Sequence, residues 1–229
     1  MHRASMIPLS VAPNLIQQVY DRILESIVDH TLAPGHRIRQ HELAEQLGVS
    51  RQPVSHALHL LHKQGLVVES GRKGFQVSPL DPAHIRQLYE VRSALDGLAA
   101  RLSAARVSVD AAGRSALEAA LAAGDAIDER TPLAELIAPD AAFHQALYRL
   151  SGNPAIEEMA APQWPHMRRS MAAVLTIADY RARAWAEHKT IAERVLAGDA
   201  AGADAAAQKH ALTAGQTTED RLRSLQKVA

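Results

Sequence analysis

The 229-residue chain contains no cysteine. That removes disulfide staples, a thiolate nucleophile and every cysteine-based zinc site at once. No apolar run approaches the ~18 residues that a membrane-spanning helix needs. The first ten residues, Met1 to Ser10, lack the apolar core of a secretory signal. An excess of charge is missing too, since 25 Lys and Arg face 25 Asp and Glu. Any nucleic-acid binding must therefore rest on local patches rather than on a globally basic surface. What is present is ordinary: 47% hydrophobic and 22% charged residues, enough apolar content to exclude a fully disordered chain. The length allows one large domain or two small ones. A cytoplasmic protein with no membrane segment is the expectation.

The charge is unevenly spread. Residues 1–80 hold eight Lys and Arg against six Asp and Glu, while residues 81–229 hold 17 against 19. Seven of the 12 histidines fall in the first 80 residues. The change coincides with Ser78-Pro79-Leu80-Asp81-Pro82, where two prolines disfavour helix at the residues before them. This divides the chain into a domain over residues 1–78, a linker over 79–82 and an Ala-rich, helical domain over 83–229.

In the first part Ile16, Val19, Ile23 and Ile27 recur at helical spacing, which predicts a helix from about Leu15 to Asp29. Pro34-Gly35 forces a turn. A short helix follows from Gln40 to Leu47, ended by Gly48 in the C′ role. Ser50 stands where it can cap the next helix, with Pro53 in the first turn and Val54, Leu58 and Leu61 on one face up to Gln64. Leu66-Val67-Val68 and Phe75-Gln76-Val77 read as strands joined by Gly71-Arg72-Lys73-Gly74. Helices separated by a Gly turn and followed by a basic hairpin describe a winged helix-turn-helix. Pro34-Gly35, Glu42 through Val54, Ala57-Leu58, Leu61 and Gly65-Leu66-Val67 resemble the DNA-binding domain of the GntR family of bacterial transcription regulators.

A recognition helix enters the major groove by its N-terminal end. That end carries Ser50, Arg51, Gln52 and Ser55. Arg51 matches O6 and N7 of guanine, and Gln52 can read adenine or bond a phosphate. The helix N-terminus favours a phosphate oxygen, and Gly71, Arg72 and Lys73 can reach the backbone or minor groove. The family usually has Arg-Glu where this chain has Ser55-His56, and often Arg at the position of His41. The resemblance therefore implies a similar docking mode with altered base preference.

The second part reads as about six helices. In the first, from Pro82 to Arg106, Arg92 falls on the apolar stripe of Ile85, Leu88, Leu95, Ala99 and Leu102. An arginine there needs an internal ion pair, a route to water, or a ligand carboxylate to clamp. A helix from Pro132 to Leu150 places Asp140 and His144 at i and i+4 beside Leu136 and Leu147. His188 shares a stripe with Trp185, Ile191 and Val195, and His210 lies on an Ala-lined face with Ala203, Ala206 and Ala214. Imidazole and carboxylate donors suit Zn, Ni, Mn or Fe better than Ca or Mg. The spacings of 44 residues from His144 to His188 and 22 more to His210 define no short metal motif. His166, Arg168 and Arg169, after Trp164-Pro165, could edge the pocket, but more often such a cluster is a solvated helix start; Asn153 reads as a helix cap.

Asp140-Ala-Ala-Phe143-His144 with Leu147 and Ser151-Gly152-Asn153, Glu187-His188 with Ile191, Gly198-Asp199, His210, and Tyr89-Glu90-Val91-Arg92 with Leu95 resemble the FCD ligand-binding domain. That is the effector module of the FadR subfamily within the GntR regulators. The resemblance implies a mainly α protein, with a winged helix-turn-helix before an all-α FCD-like bundle. It implies a divalent metal, zinc first and Ni, Mn or Fe next, on Asp140, His144, His188 and His210. It implies a small carboxylate effector contacted by Arg92. The expected protein is not an enzyme but a homodimeric, ligand-responsive repressor of a catabolic operon on a palindromic operator. The rivals are a metal-dependent hydrolase or lyase on a bundle, and a dimeric DNA-binding protein without an effector.

Overall fold

The computed structural model describes residues 15–71, 74–127, 131 and 133–227. The chain forms two compact units. One runs to Ile27 and resumes over Ala33–Ser78; the other takes Val28–Leu32 and everything from Pro79 onward.

In the first unit α1 (Leu15–Val28), α2 (Gln40–Gln46) and α3 (Arg51–Lys63) surround a small core. α1 buries Val19, Ile23 and Ile27, and α3 buries Val54, Ala57, Leu58 and Leu61. The turn between α2 and α3 needs Gly48, whose φ of 65° is the left-handed region that a β-carbon disfavours. Three strands, β1 (Arg37–Ile38), β2 (Val67–Ser70) and β3 (Gly74–Val77), form an antiparallel sheet in the order β1-β3-β2. β2 and β3 are the expected hairpin, each extended by one or two residues toward its tip. β1 was not foreseen: it pairs Arg37 with Gln76 and Ile38 with Phe75.

The second unit holds α4 (Pro82–Arg106), α5 (Ala111–Asp125), α6 (Leu133–Leu150), α7 (Pro154–Ala160), a 3-10 turn (Ala161–Gln163), α8 (Trp164–Leu175), α9 (Ala178–Leu196) and α10 (Ala200–Gln226). Pro82, expected both to close the linker and to open this helix, is the first residue of α4. Seven α-helices stand among the described residues, against about six expected. The excess comes from the segment 154–175, where Pro154, Pro162 and Pro165 each open a separate helical piece. Helix starts are capped as their residues dictate: Asp81 accepts from the Ala83 amide, Asp110 from Gly113, Asn153 from Ala155 and Asp199 from Gly202. Tyr89, Tyr148, Trp164, Met167 and Met171 supply much of one apolar cluster; Phe143, Leu147, Leu150, Ile191 and Val195 anchor a second.

The interior of this unit is unusual in its polar content. Arg92, Asp96, Asp140, His144, Arg169, His188 and His210 are all buried within it. Buried polar groups of this kind must be paired or hold something. Arg169, expected on a solvated helix start, is instead fully enclosed, and burial pushes its guanidinium down to about 10. α8 carries it inward because Met167, Ser170, Met171 and Val174 share its buried side.

Candidate DNA interface and candidate metal centre

At the start of α3, Ser50 takes the N-cap position with extended backbone (φ −71°, ψ 163°), but its hydroxyl makes no capping bond. The expected cap is therefore geometric only. The exposed helix start is thus left without a side-chain cap, a state in which its first amides can accept an anion. Arg51 and Gln52 are exposed, Ser55 is half-buried, and His41 is exposed with Nε2 4.0 Å from Glu42 Oε1. Arg51 lines an open depression together with Arg37, Arg39, His41 and Gly74.

Arg37 and Arg39 were missed by sequence reasoning. Their signal was the alternation Arg37-Ile38-Arg39, in which both arginines are exposed and Ile38 is buried. Arg39 is held by Glu42 at 2.7 Å. Gly71 has φ 67°, and a β-carbon there would stand 3.7 Å from the Arg37 guanidinium. Arg72 and Lys73 lie outside the described residues.

In the second unit, α6 delivers Asp140 and His144, α9 delivers His188, and α10 delivers His210. Ligating atoms of His144, His188 and His210 all lie within 4.8 Å of one another. His188 Nε2 is 3.1 Å from His210 Nε2 and 3.7 Å from Asp140 Oδ1. Asp140 thus stands at the edge of the trio. His188 stacks on Phe143 with ring centroids 4.3 Å apart and meets Trp185 edge-on at 4.8 Å. Gly124 on α5 makes room for that indole, because a β-carbon there would collide with the ring of Trp185. Both ring nitrogens of His144, Nδ1 of His188 and Oδ2 of Asp140 are buried without a hydrogen-bond partner. An array of three imidazoles and a carboxylate with orphaned donor atoms fits a cation of the Zn, Ni, Mn or Fe type.

Beside the histidines lies Arg92 on α4. Its Nε donates to Asp96 Oδ2 at 3.1 Å, so the internal ion pair weighed from the sequence exists. Nη1 is only 3.9 Å from Met167 Sδ, and Nη2 is buried without a partner. The guanidinium carbon lies 5.0 Å from the Trp164 ring and 5.3 Å from the Tyr89 ring. One edge of the guanidinium is thus spent on Asp96, and Nη2 on the other is unpaired. Asp96 was also missed, although its i+4 spacing from Arg92 on the same helix was a readable signal.

The charges are tightly coupled. Burial alone would raise Asp96, yet Arg92, His144 and Tyr148 hold its carboxyl well below the usual carboxylate range. Burial would lower Arg92, and Asp96 overrides it and keeps the guanidinium charged. His144 is lowered by burial and then by Arg92. His188 is pushed well below its ordinary value by burial, reinforced by His210, His144 and Arg92. Near neutral pH His144 and His188 are therefore neutral, the state in which imidazole can ligate a metal.

Residues 15–77 match the family described as bacterial regulatory proteins of the gntR family, and residues 87–213 match the FCD domain. The chain belongs to the GntR family of regulators. This GntR-family chain is 31% identical over 204 residues to an HTH-type transcriptional regulator in an unstable DNA locus of Streptomyces ambofaciens, spanning 85% of this chain and 80% of that one. It is 29% identical over 135 residues to the HTH-type transcriptional repressor RspR of Escherichia coli, spanning 59% of this chain and 58% of RspR. Its fold is similar to that of E. coli McbR/YncC, with a TM-score of 0.74 at 21% identity over 96% of this chain and 99% of that one. The GntR-family chain is thus a DNA-binding transcriptional regulator with repressors among its relatives, and the enzyme reading falls. Among the described residues no helix is long and apolar enough to cross a membrane.

Proposed function

We propose that this regulator is a cytoplasmic, homodimeric repressor of the FadR subfamily whose helical unit senses a small organic acid at a divalent metal. The observation that carries the reading is the buried convergence of His144, His188 and His210 beside Asp140, in which both nitrogens of His144, Nδ1 of His188 and Oδ2 of Asp140 have no hydrogen-bond partner. Leaving such groups unpaired is costly, and metal ligation removes the deficit. Asp140, His144, His188 and His210 would hold the ion, zinc in the first instance. Bound there, it would supply a Lewis acid that accepts an effector carboxylate oxygen. Arg92 offers the buried, unpaired Nη2 edge to the same carboxylate, in the planar geometry that suits guanidinium. α4, α6, α9 and α10 all contribute to the site, so a ligand engaging it favours one packing of these helices through differential affinity.

On the DNA side, Arg51 is the base-reading residue, with Ser50, Gln52, Ser55 and His41 beside it, and Gly71, Arg72 and Lys73, which lie between β2 and β3 in sequence, add backbone contacts. Two copies read two half-sites of a palindrome, and operator symmetry mirrors protein symmetry. Metal analysis of the purified chain, followed by melting with and without chelator, tests the sensor. The expected result is bound divalent metal and a lower melting temperature after chelation. A chain that carries no metal and melts identically in both conditions sinks the metal reading.

The Arg92–Asp96 ion pair favours a second reading, in which Arg92 is a structural cation and the helical unit only dimerises. In that case no small organic acid shifts DNA affinity or melting temperature.

A further inference from the structure

The metal reading leaves two carboxylates without a role. Glu187 lies on α9, next to His188 in sequence, yet its Oε2 sits 2.8 Å from Nδ1 of His210 on α10. Asp96 lies on α4, and its Oδ2 sits 3.2 Å from Nδ1 of His144 on α6, at ion-pair distance though off the line of a hydrogen bond. We infer that Glu187 and Asp96 are positioning residues, each holding the Nδ1 edge of one histidine so that both Nε2 atoms face a shared cation, with Asp96 also joining His144 to Arg92. The inference rests on the metal reading above.

The argument is one of proton placement. A neutral imidazole has one N–H, and a carboxylate partner accepts it. In the neutral ring of His210, Nδ1 carries the proton toward Glu187 and Nε2 is left as a lone pair. For His144 there is no aligned hydrogen bond, but the Asp96 carboxylate at 3.2 Å from Nδ1 favours the proton on that nitrogen electrostatically. Asp96 cannot swing away, because Oδ2 also accepts from Arg92 Nε at 3.1 Å and Oδ1 accepts from the Tyr148 hydroxyl at 2.5 Å. Glu187 is further steadied by Arg183, whose Nε is 3.9 Å from its Oε1.

His188 is the exception. Its Nδ1 is buried with no partner, and its Nε2 lies 3.1 Å from Nε2 of His210. Since His210 presents a lone pair there, His188 Nε2 carries the proton and donates it. The metal-free site is thus preset at two nitrogens, and loading a cation requires the His188 proton to leave Nε2 for Nδ1. Asp96 places the metal ligand His144 and the anion clamp Arg92 on one carboxylate, so occupancy of either is felt by the other.

The test uses the full chain. Long-range proton–nitrogen NMR spectra of the metal-free, ¹⁵N-histidine-labelled protein report which nitrogen of each ring is protonated, with signals assigned by single His→Gln variants. His144 and His210 are expected in the Nδ1-protonated form and His188 in the Nε2-protonated form. An Nε2-protonated His144 or His210 overturns the inference. Cobalt(II), competed against a chromophoric chelator, then reads affinity. Glu187→Gln should melt like the parent without metal, since Glu187 is at the half-exposed rim, yet bind cobalt(II) about 10–100-fold more weakly and with shifted visible bands. Affinity within about threefold of the parent and unchanged bands would overturn the role of Glu187. Asp96→Asn gives the same reading for Asp96, and if it does not fold, the His144 tautomer in the parent decides. A parent chain that takes up no cobalt(II) at all overturns the metal reading itself, and this inference with it.

Discussion

In the first unit Arg51, Gln52 and His41 stand exposed at the edge of α2 and α3, whereas in the second Arg92, Asp96, His144, His188 and His210 are enclosed in the core. The first set touches little of its own protein, so evolution can change base preference there with small effects on folding. The second set is woven into the packing. Arg92 leans on Asp96, Asp96 on Tyr148 and His144, and the histidines on one another and on Phe143. Function and stability are separable in the first unit and inseparable in the second. The contrast yields measurements in which the two units should answer differently.

The largest difference is expected from removing a buried charge. Arg92→Ala leaves Asp96 buried without its guanidinium partner, and breaking a buried ion pair by deleting one member costs about 3–5 kcal/mol. The unfolding midpoint of the helical unit in urea should fall accordingly. An Arg92→Ala chain as stable as the parent would mean that Asp96 takes up a proton or another partner at little cost, and the coupled core described here would not exist.

Acid should sharpen the comparison next. His188 and His144 bind protons less readily in the folded metal-free protein than in the unfolded chain. As pH falls through about 6.5, the unfolded state protonates first, so stability decreases toward lower pH until the depressed folded values are reached. Each histidine contributes a slope of up to about 1.4 kcal/mol per pH unit in that window. The Asp96 contribution persists there, because its carboxyl sits well below the usual range and is lost only in stronger acid. Urea melts of metal-free protein at pH 7, 6 and 5 should show the decline, and bound zinc should steepen it because protons compete for the same nitrogens. A flat profile would contradict the burial of the histidines.

Arg51→Ala reverses the pattern. Losing one bidentate base contact should weaken operator binding by about 1–3 kcal/mol and relax preference at one base pair. Folding stability should stay within about 0.5 kcal/mol of the parent, as is usual for an exposed side chain. Operator titrations at fixed salt, set beside a urea melt, check both halves of the statement.

What could be read from the sequence divides along the same line. Periodicity located α1, α3, α4 and α6 to within a residue or two, because each buries a regular stripe. It also put Arg92, Asp140, His144, His188 and His210 on inward faces for the same reason. β1 was invisible, since two residues carry no period and the strand exists only through its pairing with β3. Arg169 was misjudged because the prolines around 162–165 hid which side of α8 turns inward. Glu187 escaped because its partner is 23 residues away on another helix, and the contact exists only once α9 and α10 are packed. Local rules find faces; they do not find which faces meet.

The smallest effect separates two helix starts that look alike in sequence. Ser50 and Asn153 both precede a helix whose first turn contains proline. Asn153 accepts a bond from the Ala155 amide, so Asn153→Ala should cost about 1 kcal/mol of stability. Ser50 makes no such bond, so Ser50→Ala should cost less than about 0.5 kcal/mol. Its hydroxyl and the neighbouring amides are free for a phosphate instead, and the loss should appear as weaker DNA binding with an unchanged salt dependence, because the serine carries no charge. A Ser50→Ala chain destabilised as much as Asn153→Ala would mean that the serine caps α3 in solution, and the helix start would then have one fewer group to offer DNA.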